Sequence, residues 1–527
     1  MTEQSAGPGR AMPFEAPARR QGLSPAIILV GLTILAAVLR FYRIGEWGLS
    51  TDEVFMQRDS IDLRVANPRP LLYLLNHYVV RPFMPLDEFG LRLLPAICGV
   101  LTVPAFYLVT RRVAGTRAAL FGAFFVATSG LLVYDSQFGR YWTLVFLLSA
   151  VYPYVLYLGI RDGNGRLLAL GMLGGVLAVL AHPICVLPLG GLGVWIIGVY
   201  LKRDQLAQLW SRRSVRWGVL LAVILAVAIA LRFIPILQRW ILEHDRLAHS
   251  VKGGEFLLHT PSGRGVKQLS LLLAYVESLT LPLVLTGALG LYVLWQEGRR
   301  PLALLLGCVF VFPIAFIVLV QTRTAVSTFY MSPATPALFI GAGIFLDRLV
   351  GLDSTLRPRW LLSALVAAMI FAAGAPTLIS QYRDGRRWDF RGAAHWLDER
   401  LAPDDVVFSD QPKVVAYYLP GREVQRLVAD PVRLGQAASV LHQRGRGGVL
   451  WIVAPAPSHA FRTNPGLRRL NGWIYDNCQL RNTLGVGRVD FRQNFLQIYR
   501  CPPVAPVAAA RPGGEPTPQS SAGHGPG

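Results

Sequence analysis

Long apolar runs separated by short, arginine-rich polar breaks dominate this chain. Each run holds roughly 17–20 residues with almost no charge, the length that crosses a ~30 Å hydrocarbon core at about 1.5 Å per residue. The pattern predicts spans at about 23–42, 91–110, 117–134, 142–160, 167–182, 184–201, 217–236, 279–296, 301–320, 332–350 and 360–379, about eleven transmembrane helices in all. Leu167 to Leu201 carries no charge; as one helix it would measure about 52 Å, so a turn near His182-Pro183 splits it into two short spans.

The loops set the orientation. With the N-terminus cytoplasmic, the short inside loops hold Arg111-Arg112 and Arg117, Arg161 and Arg166, Lys202-Arg203 through Arg216, Arg299-Arg300, and Arg348 with Arg357 and Arg359, all basic as the positive-inside rule requires. The outside connections are a long first loop at 43–90, a short turn at Asp135–Tyr141, a loop at 237–278, the segment Gln321–Met331, and everything after 380. Residues 1–22, rich in Pro, Gly and Ala, read as a disordered cytoplasmic leader, with a cleaved signal peptide as the alternative. The expected architecture is a polytopic α-helical membrane protein of the inner (plasma) membrane. Its membrane module covers 23–379 and an extracytoplasmic α/β domain covers 380–501, followed by a disordered tail at 502–527.

The domain at 380–501 is expected from a change of pattern. A helix-like RGAAHWLDERL (391–401) is followed by strand-like DVVFSD (405–410), GGVLWIVA (447–454) and FLQIYRC (495–501). Cys478 and Cys501 both fall in it, on the oxidising side of the membrane, which predicts a disulfide; two unrelated thiols are the alternative.

Composition agrees with the pattern: of 527 residues 53% are hydrophobic and only 16% charged, with a mean hydropathy of +0.41, which a water-soluble globule rarely shows. The net charge of +21 is spread over many short loops instead of one face, which argues against nucleic acid as a partner. Cys98, Cys185 and Cys308 lie inside apolar runs, and no metal-type cysteine spacing occurs.

Candidate chemistry begins just after the first span, at Gly45-Glu46-Trp47-Gly48-Leu49-Ser50-Thr51-Asp52-Glu53. Asp52 and Glu53 stand at the outer membrane surface, where a partly shielded carboxylate can take a proton from a hydroxyl nucleophile. The same residues also fit a plain helix start, capped by Ser50 or Thr51 with two acids on the helix dipole.

The first span ending LRFYRIG, then TDE, then NPRPLLYLL (67–75), then YDSQFGRYWTL (134–144) at the fourth span, resembles the polyprenyl-phosphate-sugar-dependent glycosyltransferases of the GT-C superfamily. The branch it is most similar to contains the protein O-mannosyltransferases and the lipid A aminoarabinose transferases, glycosyltransferase family 39. The resemblance extends over 23–500 in layout. It implies that Asp52 is the catalytic carboxylate, with Glu53 beside it. The family's His/Lys-Pro-Pro-Leu-Tyr motif appears here as Asn67-Pro68-Arg69-Pro70-Leu71-Leu72-Tyr73, without the first Pro of the pair, and Arg69 stands near the usual phosphate-binding lysine. Arg69 is thus the candidate phosphate ligand, with an interfacial arginine at lipid headgroups as the alternative.

Asp135, Arg140 and Tyr141 match the family's second-turn pattern. The resemblance makes Arg140 a phosphate or carboxylate partner and Asp135 an acceptor or sugar ligand; an Asp135–Arg140 structural pair is the other reading. Tyr73, Tyr141, His182 and Tyr330 complete the expected sugar and acceptor site, although a satisfied helix-end histidine also accounts for His182. Relatives carry Arg-Tyr before a Pro-x-x-Pro; here Phe329 precedes Tyr330, Pro333 and Pro336, and the nearest arginine is Arg323. His244, Asp245, Arg246 and His249 are too sparse for a metal cluster. No cofactor is required; a divalent cation is compatible with the reading but not indicated.

The reaction implied is inverting transfer of a sugar from a polyprenyl-phosphate donor to a hydroxyl acceptor (glycan, lipid or protein) on the external face, among membrane lipids. A transporter or flippase of lipid-linked sugars, or a glycan polymer ligase, is the alternative class. The residues leave sugar, acceptor and polyprenol length open.

Overall fold

The computed structural model describes residues 24–63, 69–200, 211, 216, 264–320, 328–351, 359–428, 430–443, 448–455, 465–485 and 495–502. The leader, the expected span at 217–236, Asn67-Pro68, the His244–His249 group, Arg323 and the tail beyond 502 lie outside them.

The membrane module comprises α1 (Pro25–Phe41), α2 (Thr51–Ile61), α3 (Pro70–Leu75, running on as a π turn at Asn76–Val80), α4 (Glu88–Ala114), α5 (Thr116–Thr128), α6 (Gly130–Ser136), α7 (Trp142–Ser149), α8 (Tyr152–Asp162), α9 (Gly165–Ala181), α10 (Val186–Tyr200), α11 (Arg264–Leu279), α12 (Leu281–Gln296), α13 (Arg300–Val320), a 3₁₀ segment at Thr328–Ala334, α14 (Pro336–Gly351) and α15 (Arg359–Asp384). Among the described residues, four helices are long and apolar enough to cross a bilayer: Glu88–Ala114, Trp142–Asp162, Arg300–Leu319 and Leu361–Asp384. Three bent pairs are broken-span candidates, bringing the number to seven, and Pro25–Phe41, Gly165–Ala181 and Pro183–Val199 are shorter apolar helices. These helices make the chain an integral membrane protein, without establishing a count of eleven.

One break lies inside the expected span at 117–134, at Thr128-Ser129-Gly130. α5 and α6 meet at 57°, which frees carbonyls at the end of α5. Arg40 of α1 is 1% exposed and donates to the Val126 and Ala127 carbonyls, both at 2.9 Å. An arginine inside an apolar bundle is costly unless it is so paired, and here it also meets the negative end of a helix dipole. Elsewhere α12 and α14 approach backbone to backbone: a Cβ on Gly290 would lie 1.9 Å from the Gly341 carbonyl oxygen, and one on Gly341 2.3 Å from that of Gly287. Small residues permit such contacts in a bundle. The segment 264–279, expected as part of an external loop, is α11. Its apolar face repeats at helical spacing between polar residues, and it turns 91° into α12 at Thr280, whose φ is +73°.

The C-terminal part holds α16 (Phe390–Asp398), β1 (Val406–Ser409), α17 (Pro412–Tyr418), β2 (Val424–Arg426), α18 (Pro431–Gln443), β3 (Leu450–Pro455), α19 (Pro465–Asn477), β4 (Gln479–Leu484) and β5 (Leu496–Cys501). The sheet order is β2-β1-β3-β5-β4. β1 pairs in parallel with β2 and β3, and β5 runs antiparallel to β3 and β4. Side-chain alternation divides the core: Val407, Trp451, Val453 and Ile498 pack under α16 and α17, while Phe408, Leu450, Ile452 and Tyr499 face α18 and α19.

Cys478 and Cys501 form a disulfide across 23 residues, tying the start of β4 to the end of β5. The denatured, unreduced protein is therefore expected to take an alkylating agent at Cys98, Cys185 and Cys308, the free cysteines, and at the other two only after reduction. Peptide mapping checks this, and alkylation of Cys478 without reductant contradicts it.

Candidate active site

The site is organised by the first turn of α2. Ser50 caps the helix and exchanges hydrogen bonds with Glu53 as a capping box, so the plain helix-start reading of this segment holds for Ser50 and Glu53. Successive helix residues point about 100° apart, and Asp52 and Glu53 consequently face opposite environments. The Asp52 side chain is 60% exposed, whereas that of Glu53 is fully buried.

Glu53 is the centre of a closed polar network. Oε1 accepts from Arg92 Nε at 2.8 Å and from the Gly139 N–H at 2.8 Å; Oε2 accepts from Ser50 N–H at 2.9 Å and Arg387 Nη1 at 2.8 Å. Arg92 satisfies its remaining N–H groups on the carbonyls of Ile44, Trp47 and Gly48 and on Glu53 Oε2, so all five of its donors are used. Burial pushes the Glu53 carboxyl upward, but the Arg92 and Arg387 guanidiniums and the Arg92 and Gly139 hydrogen bonds outweigh it and hold the group down at about 2. Glu53 is thus a fixed anion that joins the first loop, the start of α4, the turn at 138–141 and the segment after α15. Neither Arg92 nor Arg387 was among the residues expected at the site. An arginine inside the predicted span at 91–110 was a usable signal for Arg92; Arg387 gave none.

On the other side of α2, Arg140 donates to the Asp52 carbonyl at 3.0 Å, and its Nη2 lies 4.0 Å from the Asp52 carboxylate. Arg69 Nη1 donates to the Tyr141 hydroxyl at 2.6 Å and Arg140 Nη2 to the same oxygen at 3.1 Å. Both guanidiniums also lie over the Tyr141 ring, 5.2 and 4.9 Å from its centre. Arg140 Nε is buried with no hydrogen-bond partner. Tyr73 lies within electrostatic reach of both arginines; burial pushes its phenol up to about 12 against their pull, leaving it a hydroxyl donor.

His182 borders the same cluster at the end of α9. Its Nδ1 accepts from the Ile184 N–H at 3.0 Å; the proton of the neutral ring is therefore on Nε2, which is buried without a partner. The ring stacks on Trp142 at 5.2 Å and meets Tyr141 at 5.0 Å and Tyr330 edge-on at 5.4 Å. Phe329, where an Arg-Tyr pattern would place arginine, stacks between Trp142 and Tyr134 at 5.4 and 6.1 Å and forms an aromatic wall.

The structure thus brings Asp52, Arg69, Tyr73, Arg140, Tyr141, His182 and Tyr330 together. Asp135 stands apart: it is 1% exposed, its Oδ1 has no hydrogen-bond partner, and the charge acting on it is Arg386. Arg140 is committed to Asp52 and Tyr141, not to Asp135.

No protein-family model matches the chain, and no curated protein does. Solved structures do. ArnT from Cupriavidus metallidurans bound to undecaprenyl phosphate superposes with a TM-score of 0.52 at 15% identity, covering 90% of this chain and 97% of that one. The same protein in the apo state gives 0.53 at 15%, over 90% and 98%. The archaeal oligosaccharyltransferase AglB from Archaeoglobus fulgidus, in complex with an inhibitory peptide and a dolichol-phosphate, gives 0.54 at 12%, over 82% of this chain and 69% of that one. The chain has the fold of the GT-C glycosyltransferases.

Proposed function

We propose that this protein is an inverting glycosyltransferase that moves a sugar from a polyprenyl-phosphate donor to an acceptor hydroxyl at the external membrane face. The observation that carries the reading is the convergence of two guanidinium groups, Arg69 and Arg140, on the Tyr141 hydroxyl directly beside the Asp52 carboxylate. Guanidinium forks suit phosphate oxygens, and a carboxylate at hydrogen-bonding range of an entering alcohol is a general base. That solved structures of this fold hold undecaprenyl phosphate or dolichol-phosphate supports a lipid-linked donor.

In this reading Asp52 takes the proton of the acceptor hydroxyl as its oxygen attacks the anomeric carbon. The bond from that carbon to the phosphate oxygen breaks on the opposite face, and the configuration inverts. The leaving phosphate keeps the bonding electrons, and Arg69 and Arg140 stabilise its growing charge. The Tyr73 hydroxyl and the His182 Nε2–H are further donors at hand for phosphate or sugar oxygens. The lipid tail stays in hydrocarbon throughout, which is the physical reason for embedding the site in a membrane module. The short apolar helices count as spans in this account, the N-terminus is cytoplasmic, and the sheet domain is extracytoplasmic. Asp135, buried beside the Arg386 charge and apart from this cluster, is given no role in the step.

Arg140→Ala is expected to weaken undecaprenyl phosphate binding by about 10- to 100-fold, the scale of a lost charge-assisted hydrogen bond. Titration of the protein in nanodiscs reads this directly. Unchanged affinity would remove Arg140 from the phosphate site.

A further inference from the structure

The segment that carries Asp52 is held from outside the membrane module. Tyr418, the last residue of α17, accepts the Leu49 N–H on its hydroxyl oxygen at 2.6 Å and donates its own proton to Glu88 Oε1 at 2.7 Å. Gln411, just before α17, accepts from the Thr51 hydroxyl. Gln57 of α2 donates to the Tyr417 hydroxyl at 3.0 Å, and Arg387 bonds Glu53. Arg391 bonds the Glu46 carbonyl and lies 3.4 Å from Glu88. The approach is close enough that a Cβ on Gly48 would sit 2.9 Å from the Arg391 Cβ.

These contacts bracket Asp52. Thr51 before it and Glu53 after it are both tied to the chain beyond α15, while Arg140 holds the Asp52 carbonyl from the membrane module. Leu49 is 1% exposed and precedes the helix, so its N–H finds its acceptor on Tyr418. A buried amide without an acceptor is unfavourable, and the backbone at 49–51 would shift to reach another. A shift of about 1 Å in a catalytic group can cost roughly 100-fold in rate.

We infer that Tyr418 is a positioning residue: through its hydroxyl the external domain sets the place of the Asp52 turn, so that this domain is part of the active site as well as an appendage to it. The inference rests on the reading of Asp52 given above, and its test separates the two. Tyr418→Phe in the full-length protein in nanodiscs removes one oxygen and leaves the ring. Hydrogen exchange at Leu49 and the first turn of α2 should quicken by about tenfold or more, with exchange in β1, β3 and α16 unchanged. Undecaprenyl phosphate affinity should stay at the wild-type value. With the polyprenyl-phosphate hexose or pentose on which the wild type works, turnover at saturating donor should fall by about 10- to 100-fold with donor KM unchanged.

Unchanged exchange at Leu49 overturns the inference, as does quickened exchange there with unaltered turnover. Loosening across the whole sheet overturns it too, because Tyr418 would then serve only the domain's folding. Should Tyr418→Phe fail to fold, Gln411→Ala, which removes the Gln411 side-chain bonds to Thr51 and Asp410 and leaves the Tyr418 ring in place, is read in the same way. If the wild type transfers from no polyprenyl-phosphate sugar, the functional reading fails while the exchange result still decides whether Tyr418 holds the turn.

Discussion

Asp52→Asn is expected to leave a folded protein that still binds undecaprenyl phosphate but has lost about 10²- to 10⁴-fold in turnover, the scale of a missing general base. The fold survives because the side chain is 60% exposed and an amide at a helix start keeps the hydrogen-bonding capacity of the position. Lipid binding survives because Arg69 and Tyr141 do not depend on the carboxylate, and Arg140 is held by the Asp52 backbone carbonyl. Release of free polyprenyl phosphate by the variant and the wild type, with lipid affinity measured on the same samples, checks both halves. Near-normal release would take Asp52 out of the reaction.

The neighbouring residue should behave in the opposite way. Glu53→Ala leaves Arg92 and Arg387 buried around a lost carboxylate. Breaking a buried pair in this manner costs about 3–5 kcal/mol, a large share of the stability of any domain. The expected result is a sharp loss of folded protein or of melting temperature, with whatever folded fraction remains also impaired in transfer. The acid limit has the same origin. A carboxyl held near 2 when its ordinary value is 4.5 binds its proton more readily in the unfolded chain. Its stabilisation is therefore present above about 4.5 and is lost as pH falls toward about 2. Glu53→Gln should flatten that part of the stability profile; an identical acid limb in thermal melts of the variant would contradict the network described.

The pair Asp52-Glu53 also shows what could be read from residues alone. Both a catalytic and a helix-capping reading were open for it; the structure puts Glu53 in the capping box and leaves Asp52 facing Arg140. The division follows from helix geometry, but only once the start of the helix is fixed at Ser50. Apolar runs made the helical module visible because span length and hydropathy are local properties. α11 was missed since half of its face is polar and a loop was the simpler reading. Arg69, Arg140, Tyr73, Tyr141, His182 and Tyr330 were named from motif resemblance, and their convergence depends on contacts between segments far apart in the chain, such as Arg69 with Tyr141 and His182 with Tyr330. Arg92 offered only its place inside an apolar run, which marks a buried arginine without naming its partner, and nothing near Arg387 in the chain points to Glu53. The same holds for Tyr418, whose role depends on how a separate sheet domain seats on the first loop.

The central claim is that Asp52 borders a pocket built for a lipid phosphate. A structure of the protein with undecaprenyl phosphate tests it most directly. The account predicts the phosphorus between Arg69 and Arg140, within hydrogen-bonding range of both guanidiniums, with the Asp52 carboxylate on its outward side and the tail running into the bilayer. A phosphate seated elsewhere, with Arg69 and Arg140 still closed on Tyr141, would contradict it.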